Sequence, residues 1–193
     1  MNETLHDKKV AILVTDGFEQ SELTSPRQAL DDAGALTHIV SPKRGEVRGW
    51  DGESKDWGDS FSVDVALDDA DASDYDALLL PGGVMNPDQL RTDKSVQEFV
   101  RAFFDAGKPV AAICHGPWIL IDAGVVADRR LTSYHSIRRD LENAGAQWVD
   151  EPVVVDQGLV TSRRPGDLPA FNAKLVEEVA EGVHAGGASE MHD

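Results

Sequence analysis

The chain of 193 residues has the length of one ordinary domain and carries 35 acidic against 18 basic residues, a formal net charge of −17. A field of that sign disfavours nucleic acid and anionic membrane as partners, and no apolar run reaches the roughly 20 residues that a membrane-spanning helix needs. The single cysteine, Cys114, excludes an intramolecular disulfide, and with a polar, charged stretch over residues 1–9 in place of a secretory leader it predicts a reducing cytoplasm.

Residues 8–15 form a short apolar run, β-branched in part, that stops at Asp16-Gly17 and reads as a strand buried on both faces. Residues 19–33 put Leu23, Ala29 and Leu30 on a helical stripe closed by Gly34, with Pro26 as a candidate kink. Residues 35–40 supply a second strand. A strand, helix, strand order predicts a parallel α/β sheet. Residues 45–64 break the rhythm with glycines, charges and two tryptophans, and read as a hairpin insertion at a sheet edge. Asp76 to Leu80 resumes the buried-strand signal and runs into Pro81-Gly82-Gly83; a helix over 95–106 follows, with Val96, Phe99, Val100 and Phe103 on one face. Residues 109–113 are another buried strand, ending at Cys114-His115-Gly116-Pro117. Helices over 118–123 and 136–144, a hairpin over 153–161 and a closing helix over 167–183 complete the pattern. The domain therefore spans residues 8–184, after an N-terminal extension of residues 1–7 and before a tail, 185–193, small and polar enough to fray.

A cysteine directly after a buried strand and before a helix sits in the crevice outside the carboxyl ends of the strands, where α/β proteins place their sites. Amides at the start of the next helix favour a thiolate there, and the sharp turn is that of a nucleophile elbow. Taken alone, a cysteine among apolar residues is more often a packing residue. His115 follows it in sequence, which does not by itself bring the side chains together. Gly82-Gly83 is an ordinary tight turn, or a bare backbone amide near the sulfur of the kind an oxyanion hole requires. Glu19, after the first strand, falls on the same edge; a carboxyl beside a thiolate has a raised pKa and, protonated, donates a hydrogen bond to sulfur. No cluster of His, Cys, Asp and Glu has convincing metal-ligand spacing, and no cofactor is expected.

The ordered set Asp16-Gly17-Phe18-Glu19 with Glu22-Leu23, Leu80-Pro81-Gly82-Gly83 and Ala112-Ile113-Cys114-His115-Gly116-Pro117 resembles the PfpI family, the intracellular-protease branch of the Parkinson-associated deglycase superfamily, which is class I glutamine amidotransferase-like. Thr132-Ser133-Tyr134, Asn143 to Ala146 with Trp148-Val149-Asp150, and Thr161-Ser162-Arg163 with Pro165 extend the match over nearly the whole chain. The resemblance implies a flavodoxin-like sandwich with a mostly parallel sheet, Cys114 on the elbow, Glu19 hydrogen-bonded to its sulfur, and amides of Gly83 and His115 facing the reacting oxygen. Gly82, Gly116 and Tyr134 would shape the pocket. It further implies a homo-oligomer in which an acid from a neighbouring subunit completes His115, Asp88 being the matching position. The activity implied is cysteine-dependent hydrolysis of peptides or of glyoxal and methylglyoxal adducts, in a stress-protective role. The alternative is a redox-sensing or chaperone-like protein whose Cys114 is oxidised to sulfinic acid. An amidotransferase would need a late His and Glu spaced one residue apart, which Glu177, Glu178 and His184 do not supply.

Overall fold

The computed structural model describes residues 4–184. Its strands are β1 (Lys9–Leu13), β2 (Phe18–Glu19), β3 (Leu36–Ser41), β4 (Glu46–Asp51), β5 (Asp56–Ser62), β6 (Val65–Ala66), β7 (Ala77–Leu80), β8 (Val110–Ile113), β9 (Arg130–Leu131), β10 (Gln147–Trp148), β11 (Val153–Asp156) and β12 (Leu159–Ser162). The helices are α1 (Gln20–Asp32), α2 (Met85–Leu90), α3 (Lys94–Asp105), α4 (Pro117–Asp122), α5 (Arg138–Asn143) and α6 (Leu168–Glu181).

Seven strands form the central sheet in the order β11-β12-β8-β7-β1-β3-β6, parallel except where β11 and β12 make a hairpin. The chain passes from β1 to β3 on one side and then places β7 on the other. Strand order therefore reverses between β1 and β7, the switch point where an open α/β sheet leaves a crevice at its carboxyl edge. This is the flavodoxin-like arrangement.

Alternation along each strand sends side chains to two cores. Ala11, Leu13, Leu78, Leu80 and Ala112 pack with α3, α4 and α5 on one face; Val10, Ile12, Leu79, Ala111 and Ile113 pack with α1 and α6 on the other. Both faces are covered, so the strands read as continuous apolar runs rather than as an alternating pattern. Helix α1 continues through Pro26, whose ring is buried. Asp93 caps α3 by accepting the Ser95 N–H at 2.8 Å.

Three features depart from the sequence reading. The 46–62 hairpin is present, but it builds a separate small sheet by pairing with β2 instead of extending the central sheet. The residues after Gly83 coil into α2, a short helix that turn composition hides. Within the expected N-terminal extension, Leu5 is fully buried and its N–H donates to the Ala33 carbonyl at 2.9 Å. The expected tail, 185–193, and residues 1–3 lie outside the described residues. No helix among the described residues is long and apolar enough to cross a membrane.

Phe103 and Phe171 are fully buried, one in each core. Phe103→Ala and Phe171→Ala should each lower stability by about 3–5 kcal/mol, and because the two cores are separated by the sheet the double variant should lose close to the sum. Urea denaturation checks this; strong non-additivity would contradict two independent layers.

Candidate active site

The turns after β1, β7 and β8 meet at the switch point. Cys114 follows β8 directly and has a φ of +63°, left-handed backbone that a residue with a side chain adopts only under constraint. Its N–H donates to the Ser162 carbonyl at 3.0 Å, its own carbonyl accepts from Tyr134 N–H at 2.8 Å, and Gly116 N–H closes the turn on the Ile113 carbonyl at 2.9 Å. Strand β12 on one side and the segment at Tyr134 on the other thus hold the strained peptide.

Gly82 lies against this elbow. A Cβ on it would sit 2.6 Å from the Ile113 carbonyl oxygen, 2.7 Å from Cys114 Cβ and 2.7 Å from Glu22 Oε1, so only glycine lets the β7 turn approach so closely. Asn86, fully buried at the start of α2, ties that turn to the one after β1: it accepts from Thr15 N–H at 2.8 Å and donates to the Pro81 carbonyl at 3.0 Å. With the turns locked, the N–H groups of Gly83 and His115 both reach the Cys114 sulfur.

The carboxyl beside the sulfur is Glu22, not Glu19. Glu22 is fully buried, accepts from Gly82 N–H at 3.0 Å and interacts with the Cys114 thiol. Burial, and secondarily the Glu19 charge, push its pKa up to about 8. Glu19 stands at the start of α1 and turns toward the hairpin, where it accepts from Gly52 N–H at 3.4 Å; burial also raises its pKa. The reason is helical phase: Glu22 shares the sheet-facing stripe of α1 with Pro26 and Leu30, whereas Glu19 precedes the helix.

Burial pushes the Cys114 thiol well above its ordinary pKa, the Glu22 charge adds to this, and the two amides oppose it. The elbow alone therefore does not ionise the sulfur, contrary to the expectation from the helix start. The Glu22 charge raises the thiol while the thiol's hydrogen bond lowers the carboxyl, so the two groups release protons as one coupled pair. Once the pair has lost a single proton, the one that remains can bridge carboxyl and sulfur, and the two amides stabilise the resulting anion.

His115 does reach the sulfur: Nδ1 lies 3.2 Å from Sγ. Its Nε2 lies 3.1 Å from Ser136 Oγ, a partner that no sequence pattern flags. The ring is stacked on Tyr134, with centroids 4.9 Å apart, and burial lowers its pKa. A neutral imidazole between sulfur and hydroxyl can take up and return a proton. Asp88 is exposed on α2 and does not line the cleft over Cys114. Gly82 and Gly116 are buried behind that cleft, while Gly83 and Tyr134 line it.

The cleft encloses about 1080 Å³ and opens beside the hairpin. Its lining includes four acids, Glu19, Glu22, Asp51 and Glu53, and neither lysine nor arginine.

Glu22 links stability to pH with a definite sign. Its folded pKa of about 8 exceeds the ordinary 4.5, so between these values the folded chain binds more protons than the unfolded one, and the stability contributed by Glu22 falls as pH rises through that window. Inside the window the loss approaches about 1.4 kcal/mol for each step of one in pH. Relative to Glu22→Gln, the unmutated protein should therefore lose stability steadily from about pH 5 to about pH 8. Denaturation at fixed temperature across that range checks it, and parallel curves would show that Glu22 is not a buried acid.

Residues 8–178 match the model of the DJ-1/PfpI family. General stress protein 18 of Bacillus subtilis (strain 168) is 48% identical over 167 residues, covering 86% of this chain and 94% of that protein. Protein/nucleic acid deglycase 2 of Escherichia coli (strain K12) is 47% identical over 171 residues, covering 88% and 96%. The crystal structure of Drosophila melanogaster DJ-1beta superposes with a TM-score of 0.80 at 31% identity, covering 90% of each chain.

Proposed function

The chain belongs to the DJ-1/PfpI family, and on that premise we propose that it is a cysteine hydrolase acting on reactive-carbonyl adducts in a stress-protective role, with Cys114 as nucleophile. The observation that carries this reading is the setting of the sulfur: an elbow at φ +63°, two backbone amides, a buried carboxyl and an imidazole nitrogen at 3.2 Å converge on one atom.

Loss of one proton from the Glu22–Cys114 pair yields the reactive form. The sulfur bonds to the carbonyl carbon of the substrate, the C=O electron pair moves to oxygen, and the Gly83 and His115 amides stabilise the oxyanion. His115, neutral in its buried site, shuttles the proton between the reacting oxygen and Ser136 at the mouth. A proton then moves, by way of His115, from the sulfur-bearing carbon to the neighbouring carbonyl carbon, which becomes an alcohol as the adduct becomes a thioester, and water hydrolyses that thioester, releasing the hydroxy acid and restoring the thiol. A cleft lined by acids and free of lysine and arginine admits neutral oxoaldehydes and adducts on cationic amines more readily than anionic substrates.

Peptide hydrolysis asks for more, because a poor leaving amine must be protonated. His115 is the donor beside the sulfur within the chain, and it sits in a buried site that keeps it neutral. Adduct hydrolysis therefore fits this site better than proteolysis. Val84 and Met85, exposed apolar residues next to the Gly83 turn, support self-association at this edge.

Two measurements with methylglyoxal and a peptide substrate test the reading. Cys114→Ser should reduce methylglyoxal consumption by roughly 10³-fold or more; equal rates in the two proteins would remove the hydrolase reading. In the unmutated enzyme kcat/KM should climb with pH toward a plateau above about 8, as the pair loses its first proton. Glu22→Gln should displace that limb, because the buried thiol must then ionise without the carboxyl, and an unchanged profile would dissociate Glu22 from the reactive thiol.

A further inference from the structure

At the opposite pole of the sheet from Cys114, a second cluster is unconnected with the cysteine chemistry. Helix α6 ends at Glu181, and Gly182, at a φ of +83°, turns the chain back so that His184 returns to the helix end. The His184 N–H donates to the Gly107 carbonyl at 2.8 Å, and its ring packs against Gly158, where a Cβ would meet Cδ2 at 2.9 Å. Gly107 precedes β8 and Gly158 precedes β12, so the cluster lies at the amino edge of the sheet.

Glu178 is only 5% exposed, yet its Oε2 makes no hydrogen bond, and neither does the equally shielded Nε2 of His184. The two atoms are 2.9 Å apart, close enough to bond, but the ring N–H direction misses the oxygen. Glu181 Oε2 stands 4.0 Å from the same nitrogen and is half open to solvent. Ligand atoms of all three side chains lie within 4.8 Å of one another.

We propose that Glu178, Glu181 and His184 form a binding site for a divalent transition-metal ion of the zinc class. One imidazole nitrogen and two carboxylate oxygens are a donor set suited to such ions, with open positions left for water on the Glu181 side. Metal–ligand distances near 2.0–2.2 Å require the His184–Glu178 gap to open by a few tenths of an ångström and Glu181 to close in, movements within reach of an exposed side chain. A dication satisfies both unpaired buried atoms at once, and two carboxylates neutralise its charge. Bound there, it fastens the end of α6 to the turns before β8 and β12, a structural staple remote from the cleft.

The three residues stand three apart in the sequence, but His184 lies past the end of α6 and reaches the two acids only by way of the Gly182 turn, so no regular ligand motif announces the site. Titration calorimetry of the full chain with zinc chloride tests it, in a Cys114→Ser background so that the thiol cannot take the ion. One zinc per chain should bind, with a rise in thermal midpoint, and Glu181→Gln and His184→Gln should each weaken binding by about tenfold or more. Glu181→Gln, at an exposed position, should leave the zinc-free midpoint unchanged, so it decides the matter even if His184→Gln folds poorly. Absence of binding in Cys114→Ser, or equal affinity in Cys114→Ser/Glu181→Gln, would overturn the assignment and leave His184 and Glu178 as an ordinary ion pair.

Discussion

The cleft depends on one peptide being held where it would not rest by itself. Left-handed backbone at a residue with a side chain costs on the order of 1–3 kcal/mol, and Cys114 sustains it because β12 and the segment leading to Tyr134 hydrogen-bond its two faces. A relaxed Cys114 would rotate its sulfur away from the Gly83 and His115 amides. The parallel sheet supplies the rigid frame, and the order reversal between β1 and β7 supplies the space. Catalytic geometry here follows from topology first and from side-chain chemistry second.

Burial then sets the electrostatics. A thiol enclosed in apolar surroundings resists ionisation, and the two amides alone do not overcome that. Placing a buried carboxyl beside it, itself raised to about 8 chiefly by burial, couples two reluctant acids into one shared-proton system. An exposed acid at the Glu22 position would titrate in the ordinary range and confront the sulfur with a permanent charge. The depth of Glu22 is therefore as much part of the chemistry as its identity.

Much of this is legible in the residues. The buried strands announce themselves as apolar runs ended by Gly or Pro turns, and Cys114 after β8 marks the site by its position alone. Residues whose placement depends on tertiary contact are harder to read. Glu19 and Glu22 are both acids at the start of α1, and proximity to the strand end favours Glu19; the signal for Glu22 is its place on the stripe with Pro26 and Leu30, where a charge is out of keeping with burial. Ser136 and Asn86 act through loops that fold back from distant sequence, and no local pattern encodes that approach. The hairpin is visible as a hairpin, but its pairing with the two residues of β2 is a long-range choice beyond what periodicity reports.

That pairing has its own consequence for the site. By joining β4 to β2, the hairpin brings Asp51, Gly52 and Glu53 over Glu19 and makes the outer wall of the cleft acidic. The Gly52 N–H bond to Glu19 couples wall and floor, so a substrate entering past the hairpin meets Glu19 before it meets the sulfur. In the proposed reaction Glu19 would take part in recognising what enters, and Glu22 in the thiol chemistry that follows. Two acids three residues apart divide these tasks because the first precedes the helix and faces outward, while the second lies on the helical face that points at the sheet.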